Sequence, residues 1–521
     1  MPVRSPITRR LLLHGLLCSL ILGLLAVAQT TAPADRLRAL TPILYEVTPL
    51  VNQSAPRIRL TLRIEVPEGE EGVSLQMPVW SPGDYRIQNH AQYVQSVRAW
   101  AGTGASGRAL SVQHPDDNTW YVAANGASAL TVTYLLAPSP SGLFSENVQI
   151  RESQVFLNGP ATYLYVVGRK EDPAHLMVHL PSDWACVVPL AQDKESNHAA
   201  TFTAPDYDTL ADSPLILAHK RLLRVAEFAV EGKPHRAVFF GRSDRIPNPQ
   251  AFPPVLSKIV QAGSKLMGGL PYDRYDFLFD VQGRGGGLEH LNSTRIGLWA
   301  TNPQGAAGLC AHEFFHAWNV KRIRPRALGP FNYIEPPRTR NLWFAEGVTE
   351  YYARILLRRA GLITREEFFL QTKNAIEAYL DNTARKQVTA DESSWRVWEA
   401  GNSAGFGGLS YYQKGELIGV CLDLKIRHVT HNRRSLDDVM RELMRRGAPP
   451  KPGYEEEEIR SVVNLVAGQD LSAFYDLLAR STEEMPFAEC LSHAGLDLNG
   501  NPLPNAAPAQ IALRDSWAAG P

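Results

Sequence analysis

Neither charge sign is in excess. The 53 Lys and Arg offset 53 Asp and Glu, leaving a formal net charge of +0. With no basic stripe and no long like-charge block, nothing in the chain points to a nucleic-acid partner or a charged tail. Cysteine is sparse, five in 521 residues, too few for a disulfide framework in a chain this long. Cys186, Cys310, Cys421 and Cys490 lie far apart without metal-type spacing, and read as buried or free thiols. Internal repeats are absent. Beyond residue 27 no stretch is long and apolar enough to span a bilayer.

The single long apolar run is at the start. Arg4, Arg9 and Arg10 precede apolar residues 11–27, which also hold Cys18, and Ala26-Val27-Ala28 has the small-residue pattern of a cleavage site. Residues 1–28 are therefore read as a signal peptide. The expected mature protein is exported, periplasmic or secreted, with no stable membrane span after cleavage.

From about residue 40 to 215 the hydrophobic period is two. Residues 57–66 alternate polar and apolar throughout, as a half-buried strand does. Similar short runs follow, punctuated by Pro, Gly, Asn and Asp. Residues 29–218 are read as an antiparallel β-sandwich domain. The densest local feature, Met77-Pro78-Val79-Trp80-Ser81-Pro82-Gly83-Asp84-Tyr85, reads as a structural corner rather than a substrate contact. Residues 222–300 mix strands with a helix at 253–266. A strand at 275–281 leads into the cluster Gly283-Arg284-Gly285-Gly286-Gly287-Leu288-Glu289-His290. That cluster lacks the lysine and spacing of a phosphate loop. It reads as an edge strand whose bare backbone lets a ligand lie close. From residue 307 onward helices dominate, with Thr364-Arg365-Glu366-Glu367 forming a capping box and a glycine-rich loop at 401–408. The fold class is thus α+β, a β domain followed by a mainly helical domain (219–495) with a small edge sheet. Residues 496–521, rich in Pro, Ala and Asn, are read as a loose tail.

The chemistry concentrates in His312-Glu313-Phe314-Phe315-His316. Helix positions four apart share a face, so His312 and His316 can present two imidazoles to one metal ion, with Glu313 beside it. This is the zinc-peptidase pattern. A catalytic zinc needs a third protein ligand and an open position. Trp343-Phe344-Ala345-Glu346-Gly347-Val348-Thr349-Glu350 supplies two carboxylates four apart, and either can reach the metal. Their apolar surroundings argue against a solvated face, since a buried carboxylate needs a partner. Glu350 can alternatively orient a histidine. Glu313 suits a general base. Tyr411 and Tyr412 offer phenols to a developing oxyanion.

The run from His312 to Pro325, His-Glu-Phe-Phe-His-Ala-Trp-Asn-Val-Lys-Arg-Ile-Arg-Pro, resembles the signature of the glycyl aminopeptidase family of gluzincin metallopeptidases. Matching segments are residues 78–85, 206–214, 286–290, 343–352 and 412–415. The resemblance covers about residues 40–495 and implies a thermolysin-like catalytic domain holding one zinc ion. Comparison with the related aminopeptidase N family implies specific roles. Glu346-Gly347 matches the zinc-ligand pair, giving ligands His312, His316 and Glu346. Tyr412 of Tyr412-Gln413-Lys414-Gly415 matches the oxyanion tyrosine. Gly287-Leu288-Glu289-His290 resembles the motif that grips a free amine, making Glu289 the amine anchor, with Leu288 and His290 as departures. Gly286 and Gly287 are then expected to line the peptide backbone. The expected activity is removal of N-terminal residues, small ones such as Gly or Ala, from peptides with a free N-terminus. The rivals are a zinc endopeptidase of the same fold and an exported binding protein without turnover. Many relatives carry a PDZ-like domain after the helices; the residues after 495 are too few for one. Composition leaves the oligomeric state open.

Overall fold

The computed structural model describes residues 41–519 apart from 141–146, 197, 284, 301 and 401–407. The leader read at 1–28 and nearly all of the glycine-rich loop at 401–408 lie outside the described residues.

The two-residue period at 57–66 is realised in the strand Arg57–Glu65, whose apolar positions are buried on one face. It lies near the middle of an eight-stranded sheet. Its neighbours are Ile43–Leu50 and Ala129–Leu136, both antiparallel to it. One pair in this sheet, Ile43–Leu50 with Ala174–His179, is parallel. Two four-stranded sheets complete the N-terminal β domain. All three contribute to one apolar core, including Leu60, Leu75, Trp120, Tyr163 and Leu217.

A five-stranded sheet follows, in the order Leu223–Val230, Lys233–Phe240, Tyr275–Asp280, Ser293–Gly297, Gly287–Glu289. The glycine cluster thus forms the edge strand, paired antiparallel to Ser293–Gly297 on one side only. Phe156 of the β domain stacks on Phe240 of this sheet, with ring centroids 6.0 Å apart. Helices pack around the remaining core. Pro253–Met267 backs the sheet, Pro303–Phe315 packs on Val348–Arg359, and Tyr411–Val429 packs on the latter. The capping box at Thr364 and Glu367 opens the helix Arg365–Asp381. Among the described residues no helix is long and apolar enough to cross a membrane. Cys186, Cys310, Cys421 and Cys490 are free thiols.

Within 496–519, expected to be loose, the structure has an ordered helix. Pro508–Trp517 is helical, and Leu513 and Trp517, four apart, bury one face. Trp517 packs edge-on against Phe368 and donates its indole N–H to Tyr351 Oη at 3.0 Å. Its Pro/Ala-rich composition hides a two-residue anchor, too short a pattern for periodicity to register. That anchor braces the helix Val348–Arg359.

Candidate active site

Asn302 caps the helix Pro303–Phe315, its side chain accepting from Gly305 N at 2.8 Å, and His316 closes it. The last turn and cap carry His312 and His316. Each imidazole is held at Nδ1, where His312 meets Glu350 Oε2 at 2.8 Å and His316 meets the Asn319 carbonyl at 2.6 Å. With Nδ1–H donating outward, both Nε2 lone pairs face inward, and the two Nε2 atoms lie 3.1 Å apart. Glu346 Oε2 is 3.2 Å from His316 Nε2 and 3.8 Å from His312 Nε2. One ligand atom from each residue lies within 4.8 Å of the others. Two imidazole nitrogens and one carboxylate oxygen, converging and buried, fit a four-coordinate zinc with one open position.

Local backbone structure delivers Glu346 to that point. Residues Trp343–Gly347 form a π-helical turn before the α-helix Val348–Arg359. Such turns commonly mark functional sites. Asn319 Nδ2 donates to the Phe344 carbonyl (2.8 Å) and to Thr349 Oγ1 (3.0 Å), tying the end of the histidine helix to this turn. The glycines after Glu346 and Lys414 have a packing reason. A Cβ on Gly347 would fall 2.5 Å from Gly415 Cα, and one on Gly415 would overlap the Trp343 carbonyl. The two helices therefore meet backbone to backbone, which brings Glu346 and Tyr412 to the same cleft.

The cleft has a volume of ≈ 430 Å³. All nine residues expected at the site line it: Gly286, Gly287, Glu289, His312, Glu313, His316, Glu346, Glu350 and Tyr412. The Tyr412 ring stacks on His312 with centroids 6.0 Å apart, while Tyr411 is fully buried behind it. Burial and the charge of Glu346 push the Tyr412 phenol well above its ordinary value, so it stays a donor. Burial pushes the Glu313 carboxyl up to about 7, against the pull of His312 and His316. Burial acts the same way on Glu346, but His316 and His312 outweigh it and hold that carboxyl well below its usual range. Glu313 Oε2 and Glu289 Oε1 are both buried without a hydrogen-bond partner. A Cβ on Gly287 would collide with the Glu313 carboxyl, so only glycine lets this strand lie against it.

His290 turns away from the cleft. Its Nδ1 meets Asp212 Oδ1 at 3.2 Å, while Lys321 Nζ and Leu291 N donate to the same carboxylate at 2.9 and 2.6 Å. Burial would raise the Asp212 carboxyl, but Lys321 and His290 together hold it at about 2. This buried cluster pins the end of the edge strand.

Sequence reasoning missed the contribution of the β domain. The segment read as a structural corner does form a turn, with Asp84 N donating to Ser81 O at 2.9 Å. It also enters the site. Gly83 lines the cleft so closely that a Cβ would fall 2.7 Å from either Glu289 carboxylate oxygen. Tyr85 Oη donates to Glu346 Oε1 at 3.3 Å across 261 positions of sequence. Trp80, Gly83, Tyr85 and Glu289 line a neighbouring cavity of only ≈ 20 Å³. The one signal was the density of Pro, Gly and aromatic residues in 77–85.

Residues 45–219 match the peptidase M61 N-terminal domain, and residues 305–418 match the M61 glycyl aminopeptidase domain. No curated protein matches the chain. Among solved structures, an aminopeptidase N family protein from Idiomarina loihiensis is similar at a TM-score of 0.79 and 26% identity, over 87% of this chain and 78% of that one. An M1 zinc metallopeptidase from Deinococcus radiodurans is similar at 0.53 and 13% identity, covering 86% and 94%. Yeast LTA4 hydrolase in complex with bestatin is similar at 0.52 and 12% identity, covering 86% and 68%. The last two likenesses are of fold alone. With both its β domain and its histidine-bearing catalytic region matched, the chain belongs to the M61 glycyl aminopeptidase family and is a zinc metallopeptidase.

Proposed function

We propose that this protein is an exported aminopeptidase that removes small N-terminal residues, glycine or alanine, from peptides. His312, His316 and Glu346 would hold a single zinc ion, and Glu350 would fix the His312 ring. Zinc, when bound, supplies Lewis acidity that polarises the scissile carbonyl and acidifies water. The chain's own residues do the rest. Glu313 takes the proton from the attacking water and passes it to the leaving amine. Tyr412 donates to the oxygen on which negative charge develops. Gly286 and Gly287 leave the edge strand bare, so an extended peptide backbone can lie along it.

One observation carries the exopeptidase reading. Glu289 and Glu313 are two buried carboxylates facing one cleft, each with an unpartnered oxygen. Buried Glu289 calls for a partner of its own, and a peptide's free ammonium supplies one next to the reacting groups. The ≈ 20 Å³ cavity beyond Glu289 supports the same reading. It leaves no room for a residue preceding the anchored amine.

Glu289→Ala tests the proposal. Turnover of an alanyl anilide with a free amine should fall far more than turnover of the same anilide acylated at nitrogen. Equal losses on the two substrates would indicate an endopeptidase instead.

A further inference from the structure

We propose that Trp299 is a specificity-determining residue on the leaving-group side of the cleft, one that favours an aromatic side chain in the second or third residue of the peptide. The inference rests on the aminopeptidase reading above, because that reading sets the direction of the substrate.

The direction follows from the order of groups along the edge strand. Glu289 marks the amine end, closed off by Gly83 and Tyr85. Gly287 lies against Glu313, where the scissile bond must sit. A peptide anchored at Glu289 and cleaved at Glu313 therefore runs from Glu289 past Gly287 towards Gly286 and Gly285, antiparallel to the strand. The cleft continues that way, lined by Gly286 and by Gly308 and Leu309 from the first turns of the histidine helix. A Cβ on Gly308 would meet nothing within 4 Å, so this end is open.

Trp299 lies beside Gly285, the glycine just before the cleft-lining Gly286. Strand Ser293–Gly297 stays paired beside the glycines, Gly297 N donating to the Gly286 carbonyl at 2.9 Å. Trp299 follows two residues later, and its indole lies over Gly285, Cδ1 being 3.6 Å from where a Cβ would be. Trp299 is 74% exposed. The protein has ten tryptophans, and the other nine are buried or half-buried. Three positions on in sequence, Asn302 caps the helix whose Gly308 and Leu309 line the cleft. An uncovered indole beside a strand that receives an extended peptide offers a stacking surface for a side chain leaving the cleft.

The test compares Ala-Phe-Gly and Ala-Gly-Phe with Ala-Gly-Gly on wild-type, Trp299→Phe and Trp299→Ala protein. An aromatic contact of this kind corresponds to roughly three- to tenfold in kcat/KM. Wild type should prefer at least one Phe-containing peptide by about that factor, mainly through KM, as uniform binding requires. Trp299→Phe should keep the preference, and Trp299→Ala should bring the ratio close to one. A ratio unchanged in Trp299→Ala, or absent in wild type, overturns the role of Trp299 and leaves the aminopeptidase reading standing. Failure of wild type to cleave any of the three peptides overturns both.

Discussion

Tyr85 Oη, from a loop of the β domain, donates to Glu346 Oε1 at 3.3 Å, while Glu346 Oε2 faces His316 Nε2 at 3.2 Å. One carboxylate is therefore held from two sides, by a phenol from the first domain and by the histidine helix of the second. Removing the hydroxyl should loosen the carboxylate without emptying the core. Tyr85→Phe is expected to weaken zinc binding by about tenfold, as outer hydrogen bonds to metal ligands typically do. Competition with a calibrated chelator measures this directly. An affinity equal to wild type would mean that the contact does not orient Glu346.

Glu350 performs the matching task for His312 through its 2.8 Å contact with Nδ1. Glu350→Ala leaves that ring free to turn. Zinc affinity should fall on the order of 10- to 100-fold, and saturating zinc should restore much of the turnover. Loss of turnover that zinc cannot restore would move Glu350 from a positioning role to a direct one.

The crossing of Gly347 and Gly415 gives a packing prediction. Gly415→Ala would drive a methyl into the Trp343 carbonyl and separate the helices that carry Glu346 and Tyr412. Overpacking of this kind costs about 1–3 kcal/mol. Thermal melting should show the loss, and kcat should fall with it because Tyr412 moves. Wild-type melting and turnover together would refute the backbone-to-backbone contact.

Acid sensitivity should come partly from Asp212. Its folded value of about 2 lies below the ~3.9 of a free aspartate. A depressed carboxylate contributes stability above its unfolded value and loses it as pH falls through the folded one. Asp212→Asn leaves Lys321 buried without its partner and should cost on the order of 3 kcal/mol at pH about 7. The gap between wild type and variant should then narrow as pH drops from about 4 to about 2. Urea unfolding at several pH values reads it; a gap independent of pH would rule out the linkage.

Much of the site was legible because its chemistry is local. His312, Glu313 and His316 occupy adjacent turns of one helix, whereas the preference for Glu346 over Glu350 and for Tyr412 came from the resemblance of Glu346-Gly347 and Tyr412-Gln413-Lys414-Gly415 to family motifs. The edge strand Gly287–Glu289 was legible for a similar reason, since bare glycines beside a strand have few other uses. Long-range features were not. Nothing in residues 77–85 states that Tyr85 meets a glutamate 261 positions away. The π-turn that aims Glu346 has no periodic signature in five residues. The helix Pro508–Trp517 was hidden because its anchoring is a matter of two side chains, while composition averages over them all.

The central claim is that Glu313 moves the proton while His312, His316 and Glu346 hold the zinc. Its most direct test is Glu313→Gln, measured for zinc content by elemental analysis and for hydrolysis of an alanyl anilide. The expected result is wild-type zinc with turnover reduced about 10²- to 10⁴-fold, the range for loss of a general base. Turnover close to wild type at full zinc content would contradict the account.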